Sequence, residues 1–333
     1  MPNLETEPVG GVNLVHEVVF YRGRDQLELT AKRFVEEAIA AGEPVLIALP
    51  QASLELVAGS LDVTAGSVVY EDLARSGGNP GRMLPLFQDW VDSRQGRVRV
   101  LGEPVWPGRS RAETVEVLRH ESLVNIALAQ APVAMRCLYD AERLDGEVLL
   151  GAEATHPVRV GLDGTRSTSR RYVEPPELHR PERWPLEPPP AELAARVFEG
   201  DLWALRRFVA DDERVVSLGD ERGHQLLLAV NEAATNALMH GDGRFEVRIW
   251  RDGASVISEV SSGGWFEDPL AGRLRPPKNA VSGRGLWLIN QLCDMVELRS
   301  SEPATTVRMH MHGDTRVAEV GEADEPRSSA TDE

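Results

Sequence analysis

The stretch NEAATNALMHG, residues 231–241, decides how the C-terminal part of this 333-residue chain folds. Glu232, Asn236 and His240 stand four residues apart, so on a helix their side chains form one row along one side. Alanine and leucine residues between them supply the apolar stripe of a packed helix. Such a row is typical of the solvated side of an amphipathic helix. A carboxylate and an amide one turn apart are also oxygen ligands of the type that Mg²⁺ prefers.

Two glycine-containing segments that follow favour the second interpretation. SSGG (261–264) comes directly after a strand-like run, and GRGLWLI (283–289) places glycines before an apolar helix. Glycine lets a backbone approach a ligand closely, and the free amides at a helix N-terminus hold phosphate. Each segment is common by itself. In this order, with a loop rich in Gly, Pro and basic residues between them, they indicate a nucleotide site.

Apolar periodicity after residue 192 predicts three helices and three strands. The predicted helices span 192–210, 219–240 and 285–295, and the predicted strands span 244–250, 254–260 and 305–311.

These segments together resemble the ATP-binding domain of the GHKL superfamily, which includes histidine kinases and gyrases. Among its members, residues 192–312 are most similar to the anti-sigma factor serine/threonine kinases. NEAATNALMHG matches the first box of the family, SSGG the second box and GRGLWLI the third box, and TTVRMHM (305–311) matches its last strand. The resemblance implies a Bergerat-type α/β sandwich that binds ATP between its helices and a flexible lid.

The resemblance also implies roles for individual residues. Asn236 would hold Mg²⁺ through its amide oxygen, and Glu232 would act as the catalytic residue that orients or deprotonates the attacking hydroxyl. Phosphoryl transfer depends chiefly on such positioning and on charge neutralisation. Four residues would face the triphosphate of ATP: Gly283, Arg284, Gly285 and Leu286.

The second box departs from the family pattern. The family has an aspartate two residues before the box glycine, and its carboxylate accepts the adenine amino group. Here the matching residues are Ser261 and Gly263. A lost hydrogen bond to a charged group is worth ~1.5–3 kcal/mol, or roughly tenfold to a hundredfold in affinity. Weakened ATP binding is therefore an alternative, in which the domain only binds protein partners.

The first half of the chain alternates strand-like and helix-like segments. HEVVFY (16–21), PVLIALP (44–50), SVVYED (67–72) and VAMRCLYD (133–140) are typical of strands. Helical spacing from Gln26 leads to Gly42, a residue that suits a helix C-terminus. Alternation of this kind predicts a mostly parallel sheet with helices on both faces.

This half resembles the MEDS sensory domain, a module linked with sensing hydrocarbon derivatives. The match rests on residues 16–50 and on GEPVWPGRS (102–110) and RHESLVNIAL (119–128). It implies a RecA-like parallel-sheet α/β domain over residues 14–160. The segment lacks a G-x-x-x-x-G-K-[ST] phosphate loop, so we expect no nucleotide hydrolysis from it.

Ligands of open α/β sheets bind beyond the C-terminal ends of the strands. The candidate sensory pocket is therefore drawn from polar and aromatic residues near such ends and from one histidine: His16, Tyr21, Glu103, Trp106 and Tyr139. Packing roles for the same aromatic residues are the alternative. A metal site made by His16, His120 and Cys137 is a further alternative that no ligand spacing supports.

Composition sets the remaining expectations. Seven of the sixteen residues from Pro175 to Pro190 are proline, which predicts an extended linker. We thus divide the chain into an N-terminal extension (1–13), the MEDS-like domain, a linker (161–191), the GHKL-like domain (192–312) and a disordered acidic tail (313–333). Two cysteines far apart suggest a reducing cytoplasm, and no segment has the pattern of a signal peptide or membrane span. A net charge of −17 argues against direct binding to nucleic acid or membrane.

Together these features predict a cytoplasmic regulator of signal transduction and transcription, of the kind used in stress responses. A small-molecule effector at the N-terminal domain would control a C-terminal domain that binds Mg²⁺ and ATP. That domain would phosphorylate a serine or threonine of an antagonist protein in a sigma-factor partner-switching pathway. The alternative is a non-catalytic module that sequesters a sigma factor or an antagonist. Relatives of this domain type often dimerise, so a homodimer is among the assemblies that the resemblance implies.

Overall fold

The computed structural model describes residues 13–62, 67–180, 183–277 and 283–313. These residues form two α/β units, each built on its own sheet. Apart from Asn13 and Gly313, the predicted N-terminal extension and acidic tail lie outside the described residues.

The N-terminal unit is built on a twisted, mostly parallel sheet. Within the described residues its strands are β1 (Val15–Tyr21), β2 (Val45–Leu49), β3 (Val68–Asp72), β4 (Val98–Gly102), β5 (Val133–Asp140), β6 (Val158–Val160) and β7 (Arg166–Thr168). They lie in the order β3-β2-β4-β5-β1-β6-β7, and β7 alone of these pairs antiparallel. Every residue of β2 and β5 is buried, because central parallel strands are covered on both faces.

Helices cover both faces of this sheet, as the alternating pattern predicts. Two of them, α1 (Gly23–Ala41) and α2 (Gln51–Ser60), pack on one face with Ile47 and Leu138. The other face carries α3 (Leu73–Ser76), α4 (Met83–Asp92), α5 (Arg111–Ala127) and α6 (Gly146–Thr155). Gly42 ends α1 with φ 68°, which confirms the left-handed C-terminal residue expected from the sequence.

The segment expected to be a linker differs from that expectation. Strand β7 extends the N-terminal sheet, and a short helix, α7 (Pro175–Leu178), contacts α5. Leu178 is buried, and its carbonyl accepts a hydrogen bond from the indole of Trp184. The prolines start a helical turn here, a position that their fixed φ angle favours.

The C-terminal unit is an antiparallel sheet with one face covered by helices. Its described strands are β8 (Ala194–Phe198), β9 (Phe245–Asp252), β10 (Ser255–Gly263), β11 (Met295–Ser301) and β12 (Ala304–His312), in the order β11-β12-β10-β9-β8. Its described helices are α8 (Leu202–Ala210), α9 (Glu213–Val216), α10 (Asp220–His240) and α11 (Gly285–Leu292). The apolar faces of α8, α10 and α11 bury Leu205, Val230 and Ile289 against the sheet.

Two elements of this unit differ from the sequence prediction. The single helix predicted over 192–210 is a strand followed by a helix, because Asp201 caps α8 by accepting from the Ala204 amide. The helix predicted to reach Met295 ends at Leu292, and Met295 begins strand β11.

The C-terminal end of α11 is capped by the N-terminal unit. The last carbonyls of a helix lack partners within the helix. Here the Arg82 guanidinium donates to the carbonyls of Asn290, Gln291 and Cys293 at 2.8–2.9 Å. Asn79 Nδ2 donates to the first and last of these carbonyls at 2.9 and 3.1 Å. A cation at this end also suits the helix dipole.

The second contact between the units is a buried ionic cluster around Glu116 of α5. Its carboxylate lies 2.9 Å from Arg119, 2.7 Å from Arg273 and 2.6 Å from Arg299. Arg273 belongs to the segment between β10 and α11, and Arg299 to β11. These guanidinium groups hold the pKa of Glu116 below its ordinary value although burial opposes the shift. Burial lowers the pKa of Arg119 to about 10.

The segment after β10 also packs on the N-terminal unit through apolar side chains. Leu270 and Leu274, on either side of Arg273, are partly buried against the core that includes Leu84 and Phe87. The loop between SSGG and GRGLWLI is the predicted ATP lid, and its residues 278–282 lie outside the described residues. The described part of the lid is therefore held by the sensory unit.

Within the described ranges, no helix combines the length and apolar character needed to cross a bilayer.

Replacing Glu116 by glutamine removes the charge that three buried guanidinium groups share. We expect the free energy of unfolding to fall by about 3–5 kcal/mol, the typical cost of breaking a buried ion pair from one side. Chemical denaturation measures this value. The matched control is Glu36→Gln, which removes an exposed carboxylate paired with Lys32 and should cost less than about 1 kcal/mol. Equal effects of the two variants would contradict the importance given to the cluster.

A second prediction concerns acid stability. Burial and the charges of Arg119 and Arg273 lower the pKa of His179 to about 4. Below pH ~6.5 the His179 imidazole binds a proton in the unfolded chain but stays neutral in the folded chain. The free energy of unfolding therefore falls as the pH drops from ~6.5 towards 4. Between pH 7 and 5 this histidine should account for roughly 1–2 kcal/mol of the lost unfolding free energy. His179→Gln should remove that share, whereas the exposed His224→Gln should not; an unchanged pH profile in the first variant would refute the assignment.

Candidate functional site

The first box lies on the C-terminal half of α10. Ala233, Ala234 and Ala237 are buried against the sheet, while Glu232 and Asn236 are half-buried on another side of the helix. This is the separation of faces that the four-residue spacing predicts. His240, the last member of the row, is exposed at the end of the helix.

The third box meets the first box at Gly285. A methyl group built on the Gly285 Cα would lie 3.0 Å from Asn236 Nδ2 and 3.3 Å from Glu232 Oε2. Only a glycine fits this approach without displacing the two side chains. The N-terminus of α11, where the first amides lack partners within the helix and the helix dipole is positive, thereby lies beside a carboxylate and an amide.

Neighbouring residues of the third box shape this turn. Gly283 is exposed and has φ 82°, a conformation that other residues rarely adopt. Arg284 is the residue before α11 and donates to the Pro277 carbonyl. Leu286 packs directly under Gly272, where an added Cβ would lie 2.6 Å from the leucine Cβ. The first turn of α11 thus rests on the lid segment as well as on α10.

The second box packs against the end of α10. An added Cβ on Gly264 would lie 2.6 Å from the His240 carbonyl oxygen, and one on Gly241 would lie 2.6 Å from the Gly263 carbonyl oxygen. The two backbones therefore touch. A carboxylate also lies here, because the two Asp242 oxygens lie 3.0 and 3.3 Å from a Cβ built on Gly263. The three boxes thus converge on one stretch of helix, residues 232–241.

Ser261 is the predicted site residue that the structure does not bring to Asn236. Side chains alternate along a strand, and Val260 faces the core under the helices. Ser261 therefore points to the opposite face, where its hydroxyl lies 3.0 Å from that of Thr306. The same face carries Glu259, which pairs with Arg308 at 2.7 Å. Ser262 is the residue at this end of β10 whose side chain shares the helix-covered face.

The predicted sensory residues form two groups in the N-terminal unit. At the C-terminal edge of the sheet, the Tyr21 hydroxyl donates to Glu103 at 2.6 Å, and both side chains are buried. Burial raises the pKa of Glu103, and the hydrogen bond from Tyr21 opposes the shift. Trp106 lies apart from this pair and stacks on the Arg109 guanidinium at 3.5 Å.

The second group surrounds His16. Its imidazole lies against Glu121, Cys137 and His156, and all four side chains are buried. Tyr139 packs edge-on to His156, with ring centroids 6.0 Å apart. His120, which the sequence suggested as a companion of His16 and Cys137, is not part of the cluster. No sequence motif pointed to His156, which directly follows α6. Its spacing along the chain from His16, Glu121 and Cys137 is not set by any known motif.

Comparison with known families finds two matches within this chain. Residues 15–157 match the MEDS model, described as the methanogen/methylotroph DcmR sensory domain. Residues 199–311 match the histidine kinase-like ATPase domain. A search of curated proteins finds no match to this chain.

A sensory domain joined to an ATPase domain of the histidine-kinase type is the arrangement of a signalling regulator, and the ATPase family implies ATP binding, usually with Mg²⁺. The chain therefore carries a segment that matches the MEDS sensory domain, residues 15–157, followed by a segment that matches the histidine kinase-like ATPase domain, residues 199–311.

Proposed function

We propose that this signalling regulator binds Mg·ATP at Glu232 and Asn236 and transfers the γ-phosphoryl group to a serine or threonine of a partner protein. The partner is an antagonist in a sigma-factor partner-switching pathway, and an effector at the MEDS domain controls the transfer. The observation that carries the proposal is the placement of Gly285, at the N-terminus of α11, against both side chains.

The chemistry of these groups fits the proposal. An amide oxygen together with phosphate oxygens and waters is a sufficient ligand set for Mg²⁺. The amides that begin α11 are suited to hold the phosphates. A carboxylate one turn from the amide can orient or deprotonate the attacking hydroxyl, and the metal and the amides neutralise the charge of the transferred group. The proton of the hydroxyl passes to Glu232, and ADP leaves.

Control by the sensory domain follows from the contacts of α11 and the lid. Arg82 and Asn79 hold the C-terminal carbonyls of α11, and Glu116 holds the lid through Arg273. The N-terminus of α11 approaches Glu232 and Asn236, and the lid packs on the first turn of α11 where Gly272 meets Leu286. A change in the sensory domain that moves α5 or the 79–82 turn would therefore also move the lid or α11. The proposed nucleotide site would then shift between two arrangements.

A second candidate function is a non-catalytic module that sequesters a sigma factor or an antagonist. It is favoured by β10, whose two residues before Gly263 are both serine and lack the carboxylate that would accept from adenine.

Asn236→Ala separates these functions. Loss of a magnesium ligand should weaken Mg·ATP binding to the full-length chain about 10–100-fold, the value of a charge-assisted contact. Isothermal calorimetry measures the affinity. Asn231→Ala is the matched control, because this asparagine lies on the same helix and contacts Arg206 instead of Gly285. Wild-type binding that survives Asn236→Ala undiminished contradicts the proposed site, and no wild-type binding at millimolar ATP favours the sequestering module.

Phosphoryl transfer is measured separately, as phosphate gained by a partner protein. A partner captured with the full-length chain should gain phosphate on serine or threonine in the presence of Mg·ATP. Glu232→Gln should keep ATP binding within a few-fold and lose the transfer, since it removes the base but keeps the shape. Equal transfer by the wild type and this variant would remove Glu232 from the catalytic role.

Arg82→Ala tests control by the sensory domain. The variant removes the guanidinium donor of the Gln291 carbonyl and one of the two donors to the carbonyls of Asn290 and Cys293, so the helix should fray and its amides should exchange faster with deuterium. The Mg·ATP affinity should change several-fold, because the other end of α11 lines the site. Arg75→Ala, at an exposed position of α3, is the control. Unchanged exchange in α11 would show that the two domains are not coupled through this helix.

A further inference from the structure

Four potential metal ligands meet in the interior of the sensory domain. His16 lies near the start of β1, Cys137 in the adjacent β5, Glu121 on α5, and His156 directly after α6. Their exposed fractions are 1%, 2%, 1% and 0%. One ligand atom from each residue lies within 4.8 Å of all the others. Two adjacent strands and two helices on one face of the sheet thus bring two imidazoles, a thiol and a carboxylate to a single point.

The distances match those between ligands of one tetrahedral ion. With metal–sulfur and metal–nitrogen bonds of about 2.3 and 2.0–2.1 Å, a tetrahedral angle separates sulfur from nitrogen by about 3.6 Å and nitrogen from oxygen by about 3.3 Å. His16 Nε2 lies 3.6 Å from Cys137 Sγ and 3.5 Å from Glu121 Oε2. His156 Nε2 lies 2.9 Å from the same oxygen, a contact that must open slightly around an ion.

The hydrogen bonds behind the imidazoles fix which ring nitrogen carries the proton. Asn125 Nδ2 donates to the Thr155 carbonyl at 2.8 Å, so its Oδ1 is left to accept from His16 Nδ1 at 3.0 Å. His156 Nδ1 donates to the Ala152 carbonyl at 2.7 Å. Partners of this kind orient the histidine ligands of metal ions. Both Nε2 atoms therefore turn a lone pair towards Glu121.

Lone pairs facing a buried carboxylate repel it unless a positive charge lies between them. With both imidazoles protonated at Nδ1, no proton lies between His156 Nε2 and Glu121 Oε2, which are 2.9 Å apart, and among the described residues Glu121 Oε1 has no hydrogen-bond partner either. Buried polar atoms without partners are rare and costly. One added proton would satisfy a single nitrogen–oxygen pair, and the Cys137 thiol lies 3.6 Å from His16 Nε2, so the second carboxylate oxygen would still lack a partner. A divalent cation would satisfy all four ligands, and its two charges would balance one thiolate and one carboxylate.

We propose that His16, Glu121, Cys137 and His156 bind one divalent transition-metal ion of the Zn²⁺ type. Two imidazoles, one thiolate and one carboxylate form a mixed set of borderline softness, which suits Zn²⁺ in a tetrahedral site. Binding displaces the thiol proton of Cys137 to solvent, so the ion takes the place of that proton. Four protein ligands leave no open coordination position, as in structural metal sites. The ion would hold α5 at Glu121, five residues from Glu116.

The test uses the full-length chain, stripped with a chelator and titrated with Co²⁺ alone. The proposal expects about one ion per chain, a thiolate-to-cobalt charge-transfer band, and the intense visible bands of a tetrahedral ion. Cys137→Ser should lose the charge-transfer band. Cys293→Ser is the matched control, because this second buried cysteine belongs to the ATPase domain, and it should keep the spectrum. A wild-type chain that binds no cobalt, or equal spectra in the two variants, overturns the site.

A second experiment leaves all four proposed metal ligands unchanged. Asn125→Ala removes only the hydrogen bond behind His16 and should weaken Co²⁺ binding about 10–100-fold while the charge-transfer band remains. Zn²⁺ should displace the cobalt and raise the melting temperature of the stripped wild type, and chelator should reverse the rise. An unchanged affinity in Asn125→Ala, or a melting temperature indifferent to Zn²⁺, counts against the proposal.

Discussion

The carboxylate of Glu116 is the contact on which the arrangement of the molecule depends. It is fully buried, and guanidinium groups from α5, from the lid segment and from β11 converge on it. Buried charges are tolerated only when they are paired and hydrogen-bonded. The sensory domain, the lid and the ATPase sheet must therefore stay together, because separating them would leave several charges uncompensated.

Helix α11 contacts the ATPase domain at one end and the sensory domain at the other. Its N-terminus approaches Glu232 and Asn236, and its C-terminal carbonyls accept from Asn79 and Arg82. Eight residues span only about 12 Å, so the two ends are close and rigidly connected. The sensory domain thus reaches the proposed nucleotide site through this short helix, in addition to its contact with the lid at Arg273. On α5, the cluster at Glu121 and the contact at Glu116 lie little more than one turn apart, so the proposed metal ion would lie directly behind the interface.

Much of this architecture could be predicted from local patterns. Alternating strands and helices predicted the parallel sheet with two covered faces, and the four-residue spacing put Glu232 and Asn236 on one side of α10. The order of the glycine segments predicted that a helix N-terminus would meet them, as Gly285 does. These predictions succeed because periodicity and glycine chemistry are properties of short segments.

The rest depends on pairings that no short segment encodes. A shift of one residue in β10 turns a side chain to the other face of the sheet, which is why Ser261 lies away from Asn236. Strand β11 forms because β12 offers it an edge; the predicted helix ended at its first residue, Met295, and no strand was predicted over the rest of it. The arginines around Glu116 and the ligands around His16 come from distant parts of the chain, so their meeting follows only from the tertiary fold.

Differential scanning calorimetry of the full-length chain tests the central claim, that the Glu116 cluster and the capped α11 make the two domains one cooperative unit. The account predicts one transition whose calorimetric and van't Hoff enthalpies agree. Two separate transitions in the wild-type chain would contradict it.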